Sequence, residues 1–211
     1  MNICDCVKWS IAPITDCSWD AVQAMLPLVS EQRREQALQY KHAFGQYACL
    51  KSYLMLQDLL REHYGIEGDL VFSYNEHGKP MLKEVLAKGN ESGAQEVSNI
   101  HFSISHCKEA IAVAVADRPV GIDVETLRMP SEALAEKVMD KGEKLRFDIS
   151  DTPEDFFSAL WTAKEAVMKC RGTGIVMEEL PEILYKVRDE MRLETTRPYP
   201  NIVCTLCVSN K

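Results

Sequence analysis

Residues 110–125 read AIAVAVADRPVGIDVE, two short apolar runs divided at Asp117-Arg118-Pro119, and the fold follows from what flanks that break. Both runs, Ala110–Ala116 and Val120–Glu125, have strand length and β-branched content, and Asp-Arg-Pro between them is a turn signal. Upstream, Asn99–Ser105 has the same character and is separated from Ala110 by a polar turn. Three strands in an antiparallel meander are therefore predicted. Ahead of them Ser30 caps EQRREQALQYKHAFGQYACLKSYLMLQDLLREHY, a run of good helix formers closed by Gly65. Downstream, Thr152-Pro153-Glu154-Asp155 combines a cap, a proline at the first helical position and early acids, so a second long helix starts there. Phe156, Leu160, Ala163, Val167 and Cys170 place an apolar stripe along it. Three more strands are expected at Ile183–Val187, Met191–Thr196 and Ile202–Val208. Each side thus repeats one plan, a long helix packed on a small antiparallel sheet. The expected class is α+β, pseudo-duplicated, with halves at 1–119 and 120–211 and a site in the cleft between them.

The remaining segments are shorter. Asn2–Ile11 is read as an opening strand, Leu70–Tyr74 as a strand before the turn Asn75-Glu76-His77-Gly78, Lys88–Ser98 as a polar loop, and Ser131–Lys141 as helical.

The chain has 211 residues, 46% of them apolar, enough for a substantial core. A formal net charge of −8 argues against non-specific binding to nucleic acid or anionic lipid. No apolar run approaches the roughly 20 residues that span a bilayer, and no secretory signal opens the chain. A cytoplasmic monomer is expected, without nucleic acid or membrane partners. The eight cysteines are then reduced packing residues, and Cys204 and Cys207 in one strand would point to opposite faces rather than share a metal.

Within Val120–Glu125, Asp123 and Glu125 share a face with Gly121 while the apolar residues take the other. Their Cα atoms would lie about 6.5–7 Å apart, within reach of one hard cation. On the later helix, Glu165 and Lys169 stand one turn apart, joining an acid to a base on one face. Ser103 and Ser105 share a strand face, His106 follows at the turn, and Lys79 follows Gly78; all could meet phosphate oxygens. Taken singly, each has a plain alternative as a solvated face, a surface ion pair or a turn residue. P-loop, dinucleotide-fingerprint, HExxH and nucleophile-elbow patterns are absent from the sequence.

In order, GKP (Gly78–Pro80), FSISH (Phe102–His106), VGIDVE (Val120–Glu125) and LWTAKEAVMK (Leu160–Lys169) resemble the 4′-phosphopantetheinyl transferases, and the length resembles their larger, Sfp-type branch. The resemblance implies transfer of phosphopantetheine from coenzyme A to a serine hydroxyl of an apo acyl- or peptidyl-carrier protein, releasing adenosine 3′,5′-bisphosphate. It implies Asp123, Glu125 and Glu165 as a Mg2+ site, with Mn2+ as substitute. Glu165 and Lys169 are the implied catalytic residues, and Lys79, Ser105 and His106 the implied contacts of coenzyme A. Lys164 matches the motif as well. The amino-terminal basic cluster departs from the family pattern, leaving Arg33, Arg34, Lys41 and Lys51 as candidates for coenzyme A charges. The same three acids would also serve a Mg2+-dependent phosphoesterase, and a non-catalytic module binding coenzyme A or a carrier is a further alternative.

Overall fold

The computed structural model describes residues 3–86, 94–97 and 99–211, except the side chains of residues 4, 5 and 94–96. The first elements are α1 (Ile3–Cys6), β1 (Val7–Pro13), α2 (Trp19–Met25), α3 (Glu31–Leu38) and α4 (Ala43–Tyr64). Six strands follow: β2 (Asp69–Tyr74), β3 (Pro80–Leu86), β4 (Ala94–Glu96), β5 (His101–His106), β6 (Ala110–Ala116) and β7 (Val120–Thr126). The chain continues through α5 (Glu132–Val138), α6 (Lys141–Asp148), α7 (Pro153–Arg171), α8 (Ile183–Val187), β8 (Met191–Tyr199) and β9 (Ile202–Ser209). Three antiparallel sheets result, ordered β1-β6-β5, β2-β3-β4 and β7-β9-β8.

The first and third sheets share one topology. In each, the first strand lies at an edge, the last strand runs down the centre, and the penultimate strand takes the other edge as the hairpin partner of the last. Each carries one long helix, α4 or α7, and β2-β3-β4 is an addition to the earlier half. The α+β class with two similar halves is thus observed.

Strand β6 explains how the halves meet. Its alternation sends Ile111, Val113 and Val115 into the core under α4, while Ala110, Ala112, Ala114 and Ala116 face Val120, Ile122, Val124 and the inward residues of β9. Every residue of β6 is buried. Methyl-sized side chains on the shared face let the two sheets approach closely. Strands β5 and β7 then run side by side, and their contact is made by serine hydroxyls: Ser103 Oγ accepts from Ile122 N at 3.0 Å and Ser105 Oγ from Val124 N at 3.2 Å.

Several expectations are corrected. The third strand of the meander, β7, leaves it for β9, because both edges of β6 are already filled by β1 and β5. The helix expected from Ser30 onward is two helices, broken at residues 39–42, where Tyr40 turns back over Gly45 and its carbonyl accepts from Gln46 Nε2. Ile183–Val187 is helical, and Ile183 and Val187, one turn apart, are both buried against α7. The opening segment begins as the helical turn α1 before β1. Within the expected polar loop, Ala94–Glu96 pairs with β3, and residues 88–93 and 98 lie outside the described residues, as does Asn2. Helix α6 was not expected; Asp140 and Glu143 form a reciprocal capping box at its start. Phe157 and not Phe156 is the fully buried aromatic of α7, whose second half is enclosed nearly all round by sheet, α5 and α8.

Candidate active site

Helix α7 lies across β7 on the face opposite the alanines. A Cβ placed on Gly121 would stand 1.9 Å from the Ala166 carbonyl oxygen and 2.6 Å from Cys170 N, so the absent side chain is what lets helix backbone rest on strand. With that contact made, the two polar residues further along the same strand face, Asp123 and Glu125, meet the line Lys169, Glu165, Trp161 on the helix. Helical spacing of four puts all three on one stripe.

The centre of this seam is Asp123. Lys169 Nζ donates to Asp123 Oδ1 at 2.6 Å and to Ser105 Oγ at 2.9 Å, and Ser105 donates its proton to Asp123 Oδ1 at 2.7 Å. Ser105 comes from the first half, Asp123 and Lys169 from the second. Glu165 lies alongside, its Oε2 3.9 Å from Lys169 Nζ, a charge contact without a hydrogen bond. Burial, then the negative charge of Asp123, raises the Glu165 carboxyl to about 7, with Lys169 opposing. Glu125 is raised for the same two reasons and lowered by Arg128. Asp123 Oδ2 is buried and makes no hydrogen bond, although its residue is only 2% exposed. Among the described residues no three His, Cys, Asp or Glu side chains stand in ready ligating geometry. The acids form a looser cluster, held against one ammonium.

Lys79 reaches the same seam from the first half by another route. The turn before it is pinned by Asn75, whose Oδ1 accepts from His77 N and Lys79 N and whose Nδ2 donates to Gly172 O at 2.8 Å. Lys79 Nζ then donates to the carbonyls of Lys169 (2.5 Å), Val120 (3.3 Å) and Cys170 (3.5 Å), so it caps the end of α7. Burial lowers its pKa. His106 ends β5 with its ring edge-on to Phe44 at 5.7 Å; crowding by protein, then Lys169, lowers its pKa although part of the residue is exposed.

Two cavities flank these residues. One of about 270 Å³ is bounded by Lys79, Ser103, Glu165, Met168 and Lys169. A second, of about 410 Å³, is bounded by Arg33, Phe44, Tyr74 and His106, and the two share Pro80, Phe102 and Ile104 as a common wall. They form one cleft along β5. A larger groove of about 750 Å³ along the outer side of α4 contains none of these residues.

Of the amino-terminal cations, only Arg33 borders the cleft. Its guanidinium lies 4.9 Å from the Tyr53 ring centre and 4.8 Å from that of Phe72, and its Nε is buried without a hydrogen bond. Arg34 instead donates to Leu26 O, Lys51 borders the separate groove, and Lys41 is exposed. Register on a broken helix could not be read from sequence, which is why Arg33 did not stand out. Lys164 is wholly buried, donating to Glu143 Oε2 at 2.6 Å and Val138 O at 2.7 Å; it ties α7 to the α5–α6 connection.

A family model of the 4′-phosphopantetheinyl transferase superfamily matches residues 119–200, the stretch that carries β7 and α7. The 4′-phosphopantetheinyl transferase ffp of Bacillus subtilis is 25% identical over 190 residues, 89% of this chain and 79% of its own. The 4′-phosphopantetheinyl transferase Sfp of Bacillus subtilis strain 168 is 25% identical over 169 residues, 79% of this chain and 69% of its own. The 4′-phosphopantetheinyl transferase HetI of Nostoc sp. is 32% identical over 147 residues, 67% of this chain and 58% of its own. With the two-half fold and the acid-bearing seam, these likenesses define the class as phosphopantetheine-transferring enzymes. The chain is thus similar to the 4′-phosphopantetheinyl transferases over most of its length, Sfp among them, with the family model confined to residues 119–200.

Proposed function

We propose that this protein transfers the 4′-phosphopantetheine group of coenzyme A to a serine hydroxyl of an apo acyl- or peptidyl-carrier protein, releasing adenosine 3′,5′-bisphosphate. The observation that supports it most is the knot of Ser105, Asp123 and Lys169, with Glu165 beside it, opening on a cleft between the halves. The division of the chain at 1–119 and 120–211 belongs to this reading.

The donor set suits a hard cation. It is all carboxylate oxygen, and Asp123 Oδ2 is a buried acceptor without a protein donor. Asp123, Glu125 and Glu165 are the residues that would hold Mg2+ or Mn2+. Bound there, the ion would supply positive charge to the pyrophosphate oxygens.

The chain's own groups account for the rest. Glu165 lies at the cleft beside Lys169, where it takes the proton of the carrier serine as the serine oxygen bonds to phosphorus. The bond from that phosphorus to the bisphosphate oxygen breaks, and Lys169 meets the leaving negative charge. His106 and Arg33 face the nucleotide end. All three donors of Lys79 and all valences of Ser105 are filled within the protein, so these two act by fixing the end of α7 and by bracing Asp123 and Lys169.

The hydrolase and binding-module alternatives draw no support from the relatives above, each of which is named a transferase. Among the described residues no helix is long and apolar enough to cross a membrane. A cytoplasmic monomer acting without nucleic acid or lipid remains our reading. The test is mass spectrometry of apo-carriers incubated with protein, coenzyme A and Mg2+. A gain of about 340 Da at the carrier serine is expected from the group that phosphoryl transfer moves. Coenzyme A cleavage without carrier modification would overturn the proposal.

A further inference from the structure

We infer that Trp161 is a positioning residue for Glu125, its indole N–H being the donor that orients this carboxylate toward the ion; the inference rests on the metal reading above. Trp161 is the third member of the helical stripe whose other members, Glu165 and Lys169, already face the acids of β7. It is only 8% exposed, yet its Nε1 is buried with no hydrogen bond. A buried N–H is rarely left unpaired, because water no longer compensates it. Its nearest charged neighbours define what it can bond. The Arg128 guanidinium lies over the ring at 5.4 Å, and the Phe157 ring stacks with it at 6.1 Å between centroids. On the helical stripe Trp161 follows Glu165 away from Asp123, as Glu125 does on the facing strand, and it is among the groups that favour the charged form of the Glu125 carboxyl. Arg128 itself is fixed through its backbone, whose N–H and carbonyl both bond Ser158 Oγ on α7.

A buried indole packed against two such groups has little freedom to turn, and a fixed donor can select one orientation of a carboxylate. With one oxygen of Glu125 drawn to the indole, the other is turned to the cluster. Outer-shell donors of this kind typically change metal affinity by about 10- to 100-fold when removed.

The experiment measures Mn2+ binding by electron paramagnetic resonance on the full chain, as wild type, W161F, E125Q and the double variant. We expect W161F to weaken Mn2+ binding about 10-fold. In the E125Q background the same change should cost less than about 2-fold, because a residue acting through Glu125 has nothing left to position. Equal binding by W161F and wild type, or an undiminished effect in the E125Q background, would overturn the inference. Absence of Mn2+ binding by wild type would instead remove the metal reading, and this inference with it. A measurement independent of W161F folding uses a W9F/W19F chain with one remaining indole. Its 15N indole resonance should shift when Mg2+ alone is added and stay unmoved when E125Q is included. An unmoved resonance in a chain that binds Mn2+ would also overturn the inference.

Discussion

At Glu165 the proposed function and stability pull in opposite directions. Its carboxyl is held at about 7 against an ordinary 4.5, because burial and Asp123 penalise the charge more than Lys169 rewards it. The folded state therefore binds a proton more tightly than the unfolded chain. Below about 4.5 both states are protonated and nothing is lost; as pH rises through the window to 7, stability falls, and above 7 the full cost is present. Glutamine has the same shape without the charge. In EDTA, Glu165→Gln should raise stability at pH 8 by roughly 1–3 kcal/mol, at about 1.4 kcal/mol per tenfold of proton affinity, and by almost nothing at pH 4.5. Denaturant melts at the two pH values check this. With Glu165 as the proton acceptor proposed above, the same variant should lose more than about 100-fold in carrier modification. A variant whose stability relative to wild type is the same at both pH values would mean that burial and Asp123 together do not raise the Glu165 carboxyl.

At the scale of elements, helix α7 must lie directly on β7. Gly121→Ala inserts a methyl 1.9 Å from the Ala166 carbonyl, and backbone cannot rotate away as a side chain would. The expected cost is about 1–3 kcal/mol of overpacking, read as a lower melting temperature. Transfer should fall further than stability accounts for, because Lys169 and Glu165 ride on the displaced helix. Helix α7 is also anchored behind. Lys164→Met leaves Glu143 buried beside an apolar chain and should destabilise by about 3–5 kcal/mol, while adding Glu143→Leu should recover most of that loss. A double variant no better than the single one would show that Lys164 matters through its contact with the Val138 carbonyl instead.

These two elements were also the most legible ones. Alternation in Val120–Glu125 and the four-residue spacing of Glu165 and Lys169 are local patterns, so faces could be assigned without knowing the neighbours. What was illegible depended on distant contacts. Lys79 looked free beside its turn, but its ammonium ends on carbonyls up to 91 residues away. Ser105 looked available, but its hydroxyl joins residues 18 and 64 positions on. Short helices such as α8 take their conformation from packing on α7, and five residues contain too little periodicity to reveal it.

For the whole molecule, the site is a property of the docking between halves. Ser105 and Lys79 come from one side, Asp123, Glu165 and Lys169 from the other, and the spacing between them is set by the alanine face of β6. Ala114 sits at the middle of that face, register partner of Ser103, whose hydroxyl meets Ile122 N across the junction. Ala114→Leu adds three carbons where the side chain is wholly buried, with β7 and β9 opposite. Overpacking should cost about 1–3 kcal/mol and push the sheets apart. Separation at this point lengthens the reach from Ser105 to Asp123 and Lys169 while leaving every site residue in place. Carrier modification measured well below the melting temperature should thus fall by at least 10-fold, with a compensating gain absent even at saturating coenzyme A. Substituting Val113→Ile, on the opposite face of the same strand, disturbs only the core under α4 and should cost stability without a matching loss of rate. Equal rates in Ala114→Leu and wild type would show that the serine bridges, and not the alanine face, hold the cleft at its working width.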